Sequence, residues 1–127
     1  MQTLLAAVLS LASGASDPAG LVARHFELIN NGEYRAAVAQ LDPRLGAPER
    51  HRQAYQRLFA DGGFVQELEA ARWVASDEDF IFVRATLMNR PRGRAAFQSL
   101  AYYILRRDGD QLFLVTSAAV PTGRKES

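Results

Sequence analysis

At Asp61-Gly62-Gly63 the spacing of apolar residues changes from a helical period to a strand period, and it does not change back. Upstream, Leu21, Val22, His25, Phe26, Leu28 and Ile29 fall at i, i+1, i+4, i+5, i+7 and i+8, one stripe of an amphipathic helix. Downstream, Phe80–Met88 ("FIFVRATLM") is rich in β-branched and aromatic residues, as strands are. Helices first and strands last is the order of an α+β domain, with helices packed on one face of a curved antiparallel sheet.

Three helices are expected. Asp17-Pro18 opens the first with an N-cap carboxylate and a proline at the first helical position. Asn30-Asn31-Gly32 closes it, because Asn and Gly tolerate the left-handed conformation that ends a helix. Tyr34, Ala37, Val38 and Leu41 mark a short second helix that Asp42-Pro43 stops, and a third spans about Pro48 to Ala60 with Tyr55, Leu58 and Phe59 inward. About four strands follow. The first, Phe64 to Ala75, puts Glu67 and Glu69 on the face of Val65, Ala71 and Trp73 by simple alternation. Ser76–Asp79 and Asn89–Arg94 are turns, and Asp108-Gly109 is a strong hairpin signal. With those two as the turn residues, Leu105 faces Leu112, Tyr103 faces Leu114 and Tyr102 faces Val115. Apolar residues on both faces of the last strands predict that each face is covered by helices or by another subunit.

Composition narrows the function classes. The 127 residues are 48% hydrophobic and 23% charged with a net charge of +1, the profile of one globular domain. So balanced a charge gives no electrostatic reason to bind nucleic acid. Fourteen arginines stand against the single lysine, Lys125, a bias attributed to the source genome and not to chemistry. Without cysteine there is no disulfide, thiol nucleophile or thiolate metal site. Leu4 to Ala12 ("LLAAVLSLA") followed by Ser13-Gly14-Ala15-Ser16 reads as a signal peptide over residues 1–16, cleaved near Ala15 or Ser16. That run is too short to span a bilayer, so no stable membrane anchor is expected. Export to the periplasm or outside the cell follows if the segment is a signal, and a cytoplasmic location if it is not. The domain then covers residues 17–121, with a polar tail over 122–127.

The stretch His25–Leu41 ("HFELINNGEYRAAVAQL") resembles the opening of NTF2-like domains, the cystatin-like cone shared by SnoaL-type cyclases and ketosteroid isomerase. Asn31-Gly32-Glu33-Tyr34 matches the superfamily's break between its first two helices, and "RRDGDQLFLV" matches its closing hairpin. The resemblance spans about Pro18 to Val120. It departs in having Leu112-Phe113 where a tryptophan often follows the turn, and in lacking a visible element over Leu45–Pro48. It implies a cone that is empty, filled, or catalytic, and a homodimer formed through the sheet face. Enzymes of this fold place an Asp, His or Tyr inside the cone, and the isomerases use a strand carboxylate as base.

No Asp, Glu or His occurs in Phe80–Met88, Ala95–Arg107 or Gln111–Val120. General acid–base catalysis needs a titratable group within hydrogen-bond reach. The leading expectation is therefore a non-catalytic module that binds a small hydrophobic molecule or a protein. The alternative is a SnoaL- or ketosteroid-isomerase-like enzyme with His25 as base and Tyr102 as donor. Tyr55, Trp73, Phe82 and Arg84 are the candidate ligand-binding residues. Arg72 and Arg84 stand mid-strand, either holding an anion or pairing with Glu67 or Glu69. Arg90, Arg92 and Arg94 form a solvated hairpin tip, and His51 lies on a charged, exposed face. His25 and His51 sit on separate helices without acidic neighbours at ligand spacing, so no metal is expected, and no cofactor motif is present.

Overall fold

The computed structural model describes residues 17–61 and 63–125, so the segment expected to be a signal peptide, residues 1–16, lies outside the described residues. Helix α1 runs Pro18–Asn30, α2 Tyr34–Val38 and α3 Pro48–Tyr55, with a short 3₁₀ turn at Pro43–Leu45. The third helix loosens into a π-helical stretch, Gln56–Asp61, instead of continuing to Ala60 as an α-helix. Four strands follow: β1 Phe64–Asp77, β2 Phe80–Pro91, β3 Phe97–Asp108 and β4 Gln111–Lys125. They pair antiparallel in the order β1-β2-β3-β4. β4 continues past Pro121, where the sequence suggested a tail, and pairs Lys125 with Phe97.

The local signals act as their chemistry requires. Asp17 caps α1 by accepting from the Gly20 amide at 3.2 Å, ahead of Pro18 at the first helical position. Gly32 takes the left-handed conformation (φ +76) that lets the Glu33 amide turn back onto the Leu28 carbonyl at 2.8 Å. The last hairpin corrects the expected turn. Gly109 and Asp110 are its central residues, closed by the pair Asp108–Gln111. Glycine with φ +63 at the first central position is the requirement of a type II′ turn, which moves the turn one residue along. Leu105 therefore faces Leu114, and a bulge at Val115 sets Tyr103 opposite Ser117 and Tyr102 opposite Ala118.

Alternation along β2 is regular: Ile81, Val83, Ala85, Leu87 and Asn89 are buried, and the residues between them are not. These odd-numbered positions, with Ala101 and Leu105 of β3 and Leu112 and Leu114 of β4, meet Leu21, Val22 and Phe26 of α1. β1 is bulged between Leu68 and Ala70 and again between Trp73 and Ala75. The first bulge breaks the expected alternation, for an extra residue reverses which face the following side chains occupy. Ala71 and Trp73 share the helix-facing side with their partners Ala85 and Val83, whereas Val65 and Glu67 lie opposite Arg90 and Met88 on the outer side.

One segment closes the helical layer onto the sheet. Leu114 donates its amide to the Gln40 carbonyl and accepts from the Asp42 amide, both at 2.8 Å, making a short parallel bridge along β4. The Asp42 side chain is buried, and its carboxylate accepts from Arg106 Nε at 2.7 Å and Nη2 at 3.2 Å, and from Arg44 Nη2 at 3.0 Å. Arg106 also stands over the Phe113 ring, 5.6 Å from its centre. These guanidinium hydrogen bonds, Arg106 first and Arg44 next, hold the Asp42 carboxyl well below the usual carboxylate range.

Removing one partner of a buried ion pair leaves the other charge uncompensated, so Asp42→Asn is expected to lower unfolding stability by about 3 kcal/mol. Urea unfolding at neutral pH reads the change. Because the folded carboxyl is depressed from its ordinary 3.8, its contribution is present above that pH and is lost as pH falls below it. The variant's disadvantage should therefore shrink in strong acid.

Candidate functional site

Between the helices and the inner sheet face lies a cavity of about 360 Å³. Phe26 and Ile29 of α1, Tyr55 of α3 and Phe59 after it form its roof, and Leu87, Ala101 and Tyr103 its floor. The size is in the range of small-molecule sites, which are concave, mostly apolar and carry a few placed polar groups.

Gln40, His25 and Tyr55 form one hydrogen-bonded chain. His25, 4% exposed, sits on the inner stripe of α1. Its Nδ1 lies 2.8 Å from Gln40 Oε1, and its Nε2 lies 3.0 Å from the Tyr55 hydroxyl. Gln40 Nε2 donates in turn to the Leu21 carbonyl at 3.4 Å. The Leu21 oxygen can only accept, which turns the amide nitrogen of Gln40 toward it and the amide oxygen toward His25. Nδ1 therefore carries the proton, and Nε2 accepts the proton of Tyr55. Burial pushes the His25 imidazole below its ordinary value, against the opposing pull of Gln40. Burial also pushes the Tyr55 phenol up to about 12 and raises Tyr103 further, with Tyr55 nearby adding to that shift. The site thus holds a neutral imidazole and two protonated phenols. Tyr103 packs edge-on against Phe26, ring centres 5.9 Å apart, and its hydroxyl makes no hydrogen bond among the described residues.

His25 and Tyr55 come together as a candidate pair, but the pocket expected around them is corrected. Phe82, Arg84 and Tyr102 stand on the outer face, since Phe82 pairs with Ile104 and Arg84 with Tyr102 at positions alternate to the buried ones. Tyr102 is 45% exposed and faces away from His25, so it is not that residue's catalytic partner; its neighbour Tyr103 points inward instead. Trp73 lies on the inner side but is 49% exposed and outside the cavity. Arg72 and Arg84 face one another across β1 and β2, while Glu67 pairs with Arg90 at 2.9 Å and Glu69 accepts from Gln98 at 3.1 Å. His51 is half-buried at the cavity wall, its Nε2 3.0 Å from the Leu45 carbonyl, and not on a free face. Gln40, in the turn after α2, is not among the expected site residues, since a glutamine there reads as surface. Among the described residues no three potential metal ligands stand together.

No family model matches the chain, and no curated protein does. Solved structures match by shape. An NTF2-like protein with a cystatin-like fold from Novosphingobium aromaticivorans aligns over 97% of this chain and 92% of its own, with a TM-score of 0.65 and 17% identity. Bd1075 of Bdellovibrio bacteriovorus aligns over 79% of this chain with a TM-score of 0.61 and 10% identity, and the match spans 37% of that protein.

A neutral buried histidine has a sign-definite effect on stability. Its folded value is below the unfolded 6.5, so the unfolded state binds the extra proton between the two. Urea stability should be full above about pH 6.5 and fall as pH drops below it, a window above that of Asp42. In His25→Leu this fall should be reduced relative to the parent chain.

Proposed function

The chain has the NTF2-like, cystatin-like fold, and we propose that it acts as a non-catalytic binding module whose cavity takes a small, largely apolar molecule. The observation that supports this most is the state of His25. Its Nε2 lone pair is engaged by Tyr55 and its Nδ1 proton by Gln40, so neither nitrogen is free to move a substrate proton. Among the described residues no carboxylate lines the cavity to take that role, and Asp42 is held by two arginines elsewhere. An isomerase-like reaction would need one of these groups at the substrate.

A thermal-shift panel of small alicyclic and aromatic alcohols and ketones tests the reading. A ligand at a hundredfold excess over its Kd should stabilise by about 2.7 kcal/mol and raise Tm. Ser117 is exposed at the cavity wall, so Ser117→Phe should preserve folding and abolish the shift. A silent panel would remove the proposal.

We further propose self-association through the outer sheet face, where Tyr102 and Val120 are 45% and 58% exposed and, among the described residues, no helix packs. Sedimentation velocity should find a dimer that Val120→Glu converts to monomer. A parent chain that sediments as a monomer at all concentrations would end that part.

A further inference from the structure

The polar wall of the cavity has a fixed hydrogen-bond direction. From the Leu21 carbonyl through Gln40 and His25, every donor points away from the cavity, and Tyr55 spends its one proton on His25 Nε2 at 3.0 Å. Tyr55 therefore turns oxygen lone pairs, and no proton, toward the cavity. His51 repeats the pattern. A carbonyl, that of Leu45, takes its Nε2 proton at 3.0 Å and leaves Nδ1 as an acceptor. On the opposite wall the Tyr103 hydroxyl is uncommitted among the described residues and can donate.

We propose that the Leu21–Gln40–His25–Tyr55 chain makes this cavity selective for an apolar alcohol over the ketone of the same skeleton, with Gln40 as the positioning residue that sets the polarity. The inference rests on the binding reading above and names its ligand class. An alcohol donates to the Tyr55 oxygen and accepts from Tyr103, so both phenols are satisfied. A ketone can accept from Tyr103 but has no proton to give, so it leaves the Tyr55 oxygen without a donor, and a desolvated polar group without a partner costs affinity. Thr116 and Ser117 also line the cavity, but both are exposed, so water can satisfy either ligand's neighbours there. The discrimination thus falls to the half-buried Tyr55 and Tyr103.

Gln40 acts through His25. If its amide oxygen is removed, Nδ1 loses its acceptor, and the tautomer with a proton on Nε2 becomes available. That proton donates to the Tyr55 oxygen and releases the Tyr55 hydrogen toward the cavity, which then suits a ketone. The change is a transfer of one proton between ring nitrogens, with no net charge.

Cyclooctanol and cyclooctanone, titrated calorimetrically against the full chain, provide the test. One net hydrogen bond predicts that the alcohol binds roughly five- to tenfold more tightly. In Gln40→Leu the ratio should fall toward one, a change that a merely structural role would not produce, since it would weaken both ligands alike. Nitrogen NMR of the parent chain gives a second measurement that needs no variant: His25 should show a protonated Nδ1 and an unprotonated Nε2. Equal affinities, a ratio that survives Gln40→Leu, or the opposite tautomer overturns the inference while leaving binding intact. Failure of cyclooctanol to bind a chain that binds other members of the panel also overturns it alone. No binding by any of them removes both readings.

Discussion

The buried Asp42 carboxylate holds the architecture of the site. It grips Arg106 of β3 and Arg44 of the 3₁₀ turn, and its backbone, with that of Gln40, is hydrogen-bonded to Leu114 of β4. Two residues upstream, the Gln40 side chain reaches His25. An ion pair at one end of a three-residue segment thereby fixes the polar group that decides the proton on a histidine at the other end. Buried ion pairs often contribute little net stability against apolar replacements, and their best-attested role is fixing register. Here the register is that of the helical layer against the sheet.

That placement also leaves both nitrogens of the inward histidine engaged. A catalytic base needs an unpaired lone pair near the working pH. His25 is buried deeply enough to stay neutral, and its lone pair is covered by a phenol whose own acidity is suppressed by burial. The group is a link in a chain of dipoles. What the cavity gains from it is orientation.

Much of the fold was legible from Gly63 alone, where the change of period separates helices from strands. The caps at Asp17 and Gly32 were readable because each residue type has a local backbone consequence. The strands were harder. Tyr102 and Tyr103 are adjacent and equally aromatic, and which one points inward depends on what covers each face, a tertiary fact absent from a two-residue pattern. The bulges beside Glu69 and Val74 reverse alternation without any glycine or proline to announce them. Asp42 read as a helix stop before Pro43, since a sequence does not show that Arg106, sixty-four residues away, will meet it. His25 and Tyr55 were found because both lie on inner helical stripes. Gln40 was not, since glutamine in a short helix reads as surface.

An open four-stranded sheet has two free borders, and exposed backbone there invites another strand to add on. The bridge at Leu41–Leu114 occupies part of one border with the chain's own backbone. The other carries two bulges, which bend the strand and spoil the flat, regular ladder that an incoming chain requires. The segment that orients the cavity thus also shields the sheet against polymerisation. Losing the Asp42 ion pairs would loosen the segment whose backbone covers this border as well as the pocket beside it.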